Sequence, residues 1–204
     1  MGHDIGLGRH TAAFLHWEFI ECDQRVFLST GLRIAREAHE RVWEEAAAEP
    51  GDPDGPELHE VYYDRIGGLW LPEYEWMHEA GVLRDAVTNF EVYLEQVCDE
   101  VPSHLAKQCR QEPRWGDLRR FFARLDISIE TDEINRIRSL RHLLTHQRGE
   151  LRTEASRAKF AGATSPYSLE SPIVDLSEEV VTQAMDTLAA AVHRLDPLVW
   201  QLRN

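Results

Sequence analysis

Helical periodicity is the feature that most constrains how this 204-residue chain can fold. Apolar residues return every three or four positions across residues 10–48, 72–100, 131–146 and 177–195, which is the spacing of an α-helix with one buried face. A shorter helix is expected at 116–125. The alternation of apolar and polar residues that marks a strand is not sustained anywhere, apart from one short extended piece expected at 172–174. The pattern therefore predicts an all-α protein.

Breaks in the periodicity divide the chain into segments. The stretch 49–57 holds three prolines and two glycines and is predicted to be an acidic loop. The secondary structure of residues 58–70 is ambiguous, but Gly67 and Gly68 should end any element that begins near Val61. The Ser29-Thr30-Gly31 patch is a candidate break in the first helix. We expect a single domain over residues 1–204, with an N-terminal helical segment and acidic loop at 1–57 and a helical core at 58–204.

The helix at 72–100 is expected to form the centre of the core, because its apolar stripe is long and continuous. Short connections between consecutive helices favour antiparallel neighbours, so this helix should pack antiparallel to the one at 131–146, with the C-terminal helix completing a bundle. The residues predicted to face inward are Met77, Val82 or Leu83, Val87, Phe90, Leu94 and Val97.

Composition places the chain among ordinary globular proteins, with 43% hydrophobic and 28% charged residues. No run of eighteen apolar residues occurs, so no membrane span is expected, and residues 1–9 lack the apolar core of a secretory signal. Cys22, Cys98 and Cys109 are odd in number and unpatterned, which predicts reduced thiols and a cytoplasmic location. The sequence contains no Cys-x2-Cys pair, Gly-rich phosphate loop, nucleophile elbow or dinucleotide fingerprint, so zinc-ribbon, nucleotide-hydrolase and hydride-transfer functions are unsupported.

Charge is unevenly distributed along the chain, whose formal net charge is −14. Residues 107–159 hold thirteen of the 22 basic residues and only eight of the 36 acidic ones. The overall charge argues against a protein that coats nucleic acid, but a phosphate-bearing partner would be attracted to this one basic segment. Arginines on helices are equally often a solvated face, and the sequence leaves both interpretations open.

The basic segment contains the run that carries the most chemistry, residues 137–149. In it Arg141 is followed directly by His142 and, five positions on, by His146, with Gly149 just beyond. An imidazole gains and loses a proton near neutral pH, and a guanidinium fork can hold the charge that develops on a phosphoryl group. These residue types are a minimal set for cleaving a phosphodiester in RNA.

The run resembles the Arg-x4-6-His signature of the HEPN superfamily, all-helical proteins of which many are metal-independent ribonucleases of toxin–antitoxin and phage-defence systems. The resemblance implies a HEPN-like antiparallel helical bundle without a cofactor, in which Arg141 and His146 are catalytic and His142 orients the substrate or its partner residue. It also implies a homodimer in which two motifs form one composite site, with RNA as substrate and an antitoxin or regulatory protein as a further partner. Arg138 and Arg148, which lie close to the motif, are the candidate substrate-binding residues.

One acidic residue has a counterpart in the same family. HEPN proteins of the RiboL-PSP type often carry an acidic residue on the helix that packs against the motif helix, and Glu91 occupies a comparable place. Glu91 is therefore a candidate supporting residue that pairs with Arg141 or Arg138. The alternative is a solvated glutamate on an amphipathic helix.

Helix geometry leaves the arrangement of the motif open. At 100° per residue, Arg141 and His146 lie about 140° apart, so they do not share a face of one regular helix. They could converge if the helix loosens near Thr145 or if two copies face each other. His142 and His146 also have the i, i+4 spacing of a two-histidine metal site, but Leu143 replaces the glutamate of His-Glu-x2-His.

Alternatives to catalysis remain on sequence grounds. A third metal ligand could come from Glu91, Asp126 or Glu130, although no spacing singles one out. An arginine and two histidines near a helix end can also simply cap carbonyl groups. A non-catalytic HEPN module that binds nucleotide, RNA or a protein partner is the alternative function, and a helical structural protein is the third.

Overall fold

The computed structural model describes residues 9–48, 55–102, 104–105, 112–160 and 172–203. These residues form seven helices: α1 (Ala12–Ala47), α2 (Leu58–Arg65), α3 (Leu71–Glu100), α4 (Trp115–Ala123), α5 (Asp132–Gln147), α6 (Glu154–Lys159) and α7 (Glu178–Arg203). Extended pairing in this part of the chain includes an antiparallel bridge between Glu150 and Ile173. The all-α prediction is confirmed. None of the described helices is apolar over a stretch long enough to cross a membrane.

Helix α3 is the centre of the fold, and it contacts α1, α4, α5 and α7. Its direction relative to α5 follows from two contacts: Glu91 pairs with Arg138, while Trp76, nearer the start of α3, approaches Gly149 beyond the end of α5. The two helices are therefore antiparallel, as predicted.

Helices α1 and α7 complete the bundle on the other sides of α3. The N-terminus of α1 meets the C-terminus of α3, where Glu100 accepts hydrogen bonds from the backbone N–H groups of Ala12 and Ala13. At the other end of α3, Arg36 of α1 bridges Glu75 and Glu178, the first residue of α7. Thus α1 runs antiparallel to α3, and α7 runs parallel to it.

One continuous core lies between these helices. Burying apolar side chains of several helices against one another is the main stabilising contribution in such a bundle. Its largest completely enclosed side chains come from α1, α3, α4, α5, α7 and the segments beside them: Leu32, Leu83, Phe90, Tyr93, Leu94, Leu118, Phe121, Phe122, Ile129, Ile134, Leu151 and Met185.

The first helix is not divided at the Ser29-Thr30-Gly31 patch, so the predicted break is wrong. Ser29 satisfies its hydroxyl on the carbonyl of Arg25 one turn back, which is compatible with helix. Gly31 is instead needed for packing, because a Cβ there would lie 2.5 Å from Cε1 of His78 on α3. The glycine lets α1 and α3 approach closely without interrupting α1.

Two further details differ from expectation. Met77, predicted to face inward, is 58% exposed, whereas the other predicted core positions of α3 are buried. Helix α6 was not predicted. The sequence left open whether the last helix is extended or kinked at Pro197, and it continues through Pro197 to Arg203. The expected extended piece at 172–174 is present as the bridge to Glu150.

Some predictions concern residues outside the described ranges. These are the opening residues 1–8, positions 49–54 of the acidic loop, Cys109, and 161–171 of the loop that precedes α7. Cys22 and Cys98 are described, the first exposed and the second buried.

Candidate functional site

Helix α5 carries the candidate site, and its start is well defined. Thr131 is the N-cap, with its hydroxyl accepting a hydrogen bond from the backbone N–H of Ile134 at 3.2 Å. Asp132 and Glu133 follow in the first turn, where negative charge is favourable for the helix dipole. The hydrogen bond from Thr131 helps to lower the pKa of the Glu133 carboxyl, after a larger contribution from its own backbone N–H. The N-cap and the two acidic residues therefore define where α5 begins.

One side of α5 is anchored in the core. Its buried residues are Ile134, Ile137, Leu140, Leu143 and Leu144. The polar stripe of Asn135, His142 and His146 lies on the opposite side and is exposed. The helical period predicts the buried side and the exposed positions of Asn135, His142 and His146. It also places Arg138 in the polar stripe, but that side chain is only about a quarter exposed and pairs with Glu91.

The end of α5 depends on two residues in left-handed conformation. Arg148 has φ 51° and Gly149 has φ 78°, and the backbone N–H groups of both donate to the carbonyl of Leu143. Helix α5 is regular through Gln147, so it does not loosen near Thr145. The sequence left open two ways in which Arg141 and His146 could come together. The first, a loosening of the helix near Thr145, is not observed.

Packing also requires glycine at position 149. A Cβ there would lie 2.6 Å from Cζ2 of Trp76. The same indole donates from Nε1 to the carbonyl of Val174 at 2.8 Å, and the backbone N–H of Val174 donates to the carbonyl of Gly149 at 2.9 Å. Trp76, a residue that the sequence interpretation did not single out, thus holds the end of α5 in place.

The two histidines of the motif lie side by side. The ring centroids of His142 and His146 are 4.5 Å apart with an interplanar angle of 49°. Both side chains are exposed, so both imidazoles are accessible to a ligand from solvent. Arg141 is partly buried on a different side of the helix, and among the described residues no side chain forms a hydrogen bond or ion pair with its guanidinium. The structure thus brings together the two histidines but not Arg141 and His146.

Of the two arginines predicted to pair with Glu91, Arg138 and Arg141, the structure shows the pair with Arg138. The Nε of Arg138 donates to Oε1 of Glu91 at 3.0 Å, and each side chain is about a quarter exposed. The guanidinium carbon of Arg138 also lies 3.7 Å from the centroid of the Trp115 ring. This stacked and paired environment orients Arg138 and reduces its freedom to reach a ligand.

Trp115, the first residue of α4, also takes part in a polar network. The Nε1 of Trp115 donates to Oε1 of Glu130 at 3.1 Å, and Arg119 of α4 lies 3.4 Å from the same carboxylate. Trp115 was not identified as part of the site from sequence, and Glu130 was considered only as a possible third metal ligand. An aromatic residue at a helix start 23 positions before its arginine gives no local signal, because the contact exists only once α4 and α5 both pack against α3.

The remaining predicted positions lie at the end of the helix. Arg148 is exposed, and it contributes, after Arg152, to lowering the pKa of Glu150. As for metal binding, the part of the chain described here contains no group of three His, Cys, Asp or Glu residues placed to hold an ion. Two of the third-ligand candidates have other partners, since Glu91 pairs with Arg138 and Glu130 with Trp115 and Arg119.

Comparison of the chain with family models, curated proteins and solved structures finds no match in any of the three.

Proposed function

We propose that the exposed stripe of α5 binds RNA and cleaves it without a metal ion, by Arg/His chemistry of the HEPN type. The observation that carries the proposal is the pair of exposed imidazoles, His142 and His146, whose ring centroids are 4.5 Å apart beside Arg141 in the chain. Two adjacent imidazoles can supply both a proton acceptor and a proton donor near neutral pH. The position of the pair within the basic segment 107–159 adds to the argument, because phosphate is attracted there.

The proposed reaction is an internal transesterification. One imidazole removes the proton of the 2′-hydroxyl, and the 2′-oxygen forms a bond to phosphorus. The bond from phosphorus to the 5′-oxygen breaks, and that oxygen takes a proton from a second imidazole. The products are a 2′,3′-cyclic phosphate and a free 5′-hydroxyl, and an arginine stabilises the charge on the phosphoryl oxygens in between.

A second copy of the chain would complete this site. On the regular helix α5, Arg141 and His146 are about 140° apart, so one copy is poorly arranged to place both on one phosphate. We propose that two α5 helices face each other across a two-fold axis, which places Arg141 of one copy near His146 of the other. The finer parts of the proposal, a cytoplasmic toxin or defence effector held in check by an antitoxin or regulator, rest on the family resemblance alone.

The test is cleavage of a single-stranded RNA labelled at one end, in buffer containing EDTA. The wild-type protein should release fragments that end in a 2′,3′-cyclic phosphate. His146→Ala should reduce the rate about 10²–10⁴-fold, the usual contribution of a proton-transferring side chain. His59→Ala is the matched control, because His59 is an exposed histidine on α2, remote in sequence from the motif. Equal rates for wild type and His146→Ala would end the catalytic assignment.

A non-catalytic binding module is the second candidate, and two observations favour it. Arg138, a predicted phosphate ligand, is already engaged by Glu91 and Trp115, and the chain as a whole carries −14. In this case labelled RNA or nucleotide would bind and be recovered intact. Binding that weakens in Arg141→Ala and His142→Ala, with no cleavage by wild type, would identify this function.

A further inference from the structure

A second apolar face on α1 is left uncovered by the fold. Phe19 is 69% exposed, Val26 62%, Phe27 61% and Ile34 55%. We refer to these four residues as the α1 stripe. At 100° per residue they span about 100° of the helix circumference, so they lie on one side of α1, with Asp23 and Thr30 between them.

The stripe is separate from the face that α1 buries in the core. The core face carries Trp17, Leu28 and Leu32, which are at most 3% exposed, and its centre lies about 160° around the helix from the centre of the stripe. Helix α1 is therefore apolar on two opposite sides. The core side is buried, whereas the stripe side is largely open to solvent, with the ring of Phe27 in contact with His78 of α3 at 4.7 Å between centroids. Exposed apolar surface of this kind usually marks an interaction site.

The positions in the stripe are symmetric about one point of the helix. Val26 and Phe27 lie half a residue on either side of it, and Phe19 and Ile34 lie seven and a half residues on either side. In two antiparallel copies of α1 related by a two-fold axis at this point, Phe19 of one copy lies opposite Ile34 of the other, and Val26 opposite Phe27. From this self-complementary register we propose that the α1 stripe is the surface through which a second copy of this chain docks.

Polar residues fit the same register. Asp23 falls opposite Thr30 of the other copy, whose hydroxyl can donate to its carboxylate. Beyond Ile34 the same face continues with charged residues, starting with Glu37, which pairs with Arg33 at 2.9 Å. The proposed contact thus contains one polar pair, Asp23 with Thr30 of the other copy, among its apolar residues, and beyond Ile34 it is bordered by charge.

The size of the surface is sufficient for a dimer. The exposed parts of the four side chains amount to roughly 400 Å² per copy, given that a large side chain buries on the order of 150–250 Å² in full. Over two copies, with the flanking residues included, the buried area reaches about the 1,000 Å² expected of a specific interface. An area of this size lies at the low end of specific interfaces, so we expect a reversible homodimer.

This contact is independent of the proposed function. Among the helices described, α1 contacts α2, α3 and α7 and has no contact with α5. A dimer formed through the α1 stripe therefore leaves both copies of His142 and His146 accessible. Pairing through α1 and pairing through α5 would use two different two-fold axes, so a protein that used both would form an assembly larger than a dimer: a closed tetramer if the axes cross at right angles, and an open chain of copies otherwise.

The first test is the molar mass of the full chain in solution, measured by light scattering at tens of micromolar. Val26→Glu should halve the mass of the wild-type species, and Phe19→Glu should do the same. The substituted positions are exposed, so the helix content measured by circular dichroism should be unchanged. Leu198→Glu is the matched control, since Leu198 is an exposed leucine on α7 outside the stripe, and its mass should equal that of wild type. A monomeric wild type, or a mass that Val26→Glu leaves unchanged, overturns the proposal.

The second test fixes the register by disulfide formation. In the proposed pair the two copies of position 26 are offset by one residue, about 1.5 Å along the helix axis, whereas the two copies of Cys22 are offset by nine residues, about 13.5 Å. Since a disulfide needs Cα atoms within about 7 Å, oxidised Val26→Cys should form a covalent dimer and wild type should not form one through Cys22. If Val26→Cys forms no more covalent dimer than wild type does, the antiparallel register is contradicted. It is also contradicted if dilution of the protein abolishes the covalent dimer although the molar mass measured by light scattering still corresponds to the noncovalent dimer.

Discussion

Arg138 donates a hydrogen bond to Glu91 at 3.0 Å while its guanidinium lies over the ring of Trp115, so one arginine connects α3, α4 and α5. The pair is only about a quarter exposed, and the stacking on indole adds a second attraction. This contact holds α5 against the central helix α3. We therefore expect the loss of the contact to lower the free energy of unfolding.

The first prediction concerns this junction. Arg138→Ala removes an ion pair and a cation–π contact, each worth about 0.5–1 kcal/mol at partly exposed sites, so the free energy of unfolding should fall by about 1–2 kcal/mol. Urea denaturation followed by circular dichroism measures the change. Arg136→Ala is the control, because Arg136 is exposed on the same helix and its loss should change stability by at most about 0.5 kcal/mol. In an Arg138→Ala background, Glu91→Ala should cost less than it does in wild type; strictly additive losses would show that the two residues are not coupled.

The second prediction concerns the end of α5. Gly149→Ala places a side chain at φ 78° and a Cβ 2.6 Å from the Trp76 ring. Left-handed strain of about 1–2 kcal/mol and a clash of similar size should together lower stability by at least about 2 kcal/mol, measured by thermal or urea unfolding. Gly116→Ala is the matched control: Gly116 lies in α4, a Cβ there would meet nothing within 4 Å, and alanine favours helix. Similar losses in both variants would contradict this account of the helix end.

The third prediction concerns pH. Glu79 is buried in α3, and burial, followed by the nearby Glu75 carboxylate, raises its pKa from 4.5 to about 7. The folded state therefore binds this proton more tightly than the unfolded state, and the resulting stabilisation is present below about pH 4.5 and lost as the pH rises through 7. Glu79→Gln removes the ionisable group, so its stability relative to wild type should increase between pH 4.5 and 8, by roughly 1–3 kcal/mol. Unfolding measured at several pH values tests this, with Glu45→Gln as an exposed control. If the difference in unfolding free energy between Glu79→Gln and wild type is the same at every pH, the raised pKa of Glu79 does not account for the pH dependence of stability.

The fourth prediction separates the roles of the motif residues, provided that RNA cleavage is found. Arg141→Lys should recover little of the activity lost in Arg141→Ala, because an ammonium group cannot form the two parallel hydrogen bonds of a guanidinium. His142→Asn should retain more activity than His142→Ala if His142 orients through hydrogen bonding. If His142 is instead the second proton-transferring group, as its contact with His146 allows, both variants should lose about 10²–10⁴-fold. Initial rates over pH 5–8 distinguish these cases, since loss of a titrating group removes one limb of the profile.

The helices could be predicted from sequence because their determinants are local. The apolar period of α5, Thr131 at its start and Gly149 just beyond its end are all readable within twenty residues, and the structure has the helix between them. Gly31 shows the limit of the same reasoning. A glycine in a helical pattern is compatible with either a break or a close helix contact, and only the His78 ring on α3 decides for the contact.

The sequence by itself therefore determined the all-α class, the places of the main helices along the chain and the clustering of Arg141, His142 and His146 at the end of one of them, since these follow from periodicity and spacing along a single segment. Only the tertiary structure decided that Glu91 takes Arg138 rather than Arg141, that Trp115 stacks on the same guanidinium, and that Phe19, Val26, Phe27 and Ile34 face solvent. These outcomes depend on which helix packs against which face. A helix such as α1, apolar on two opposite sides, does not encode in its own sequence which side its neighbours will cover.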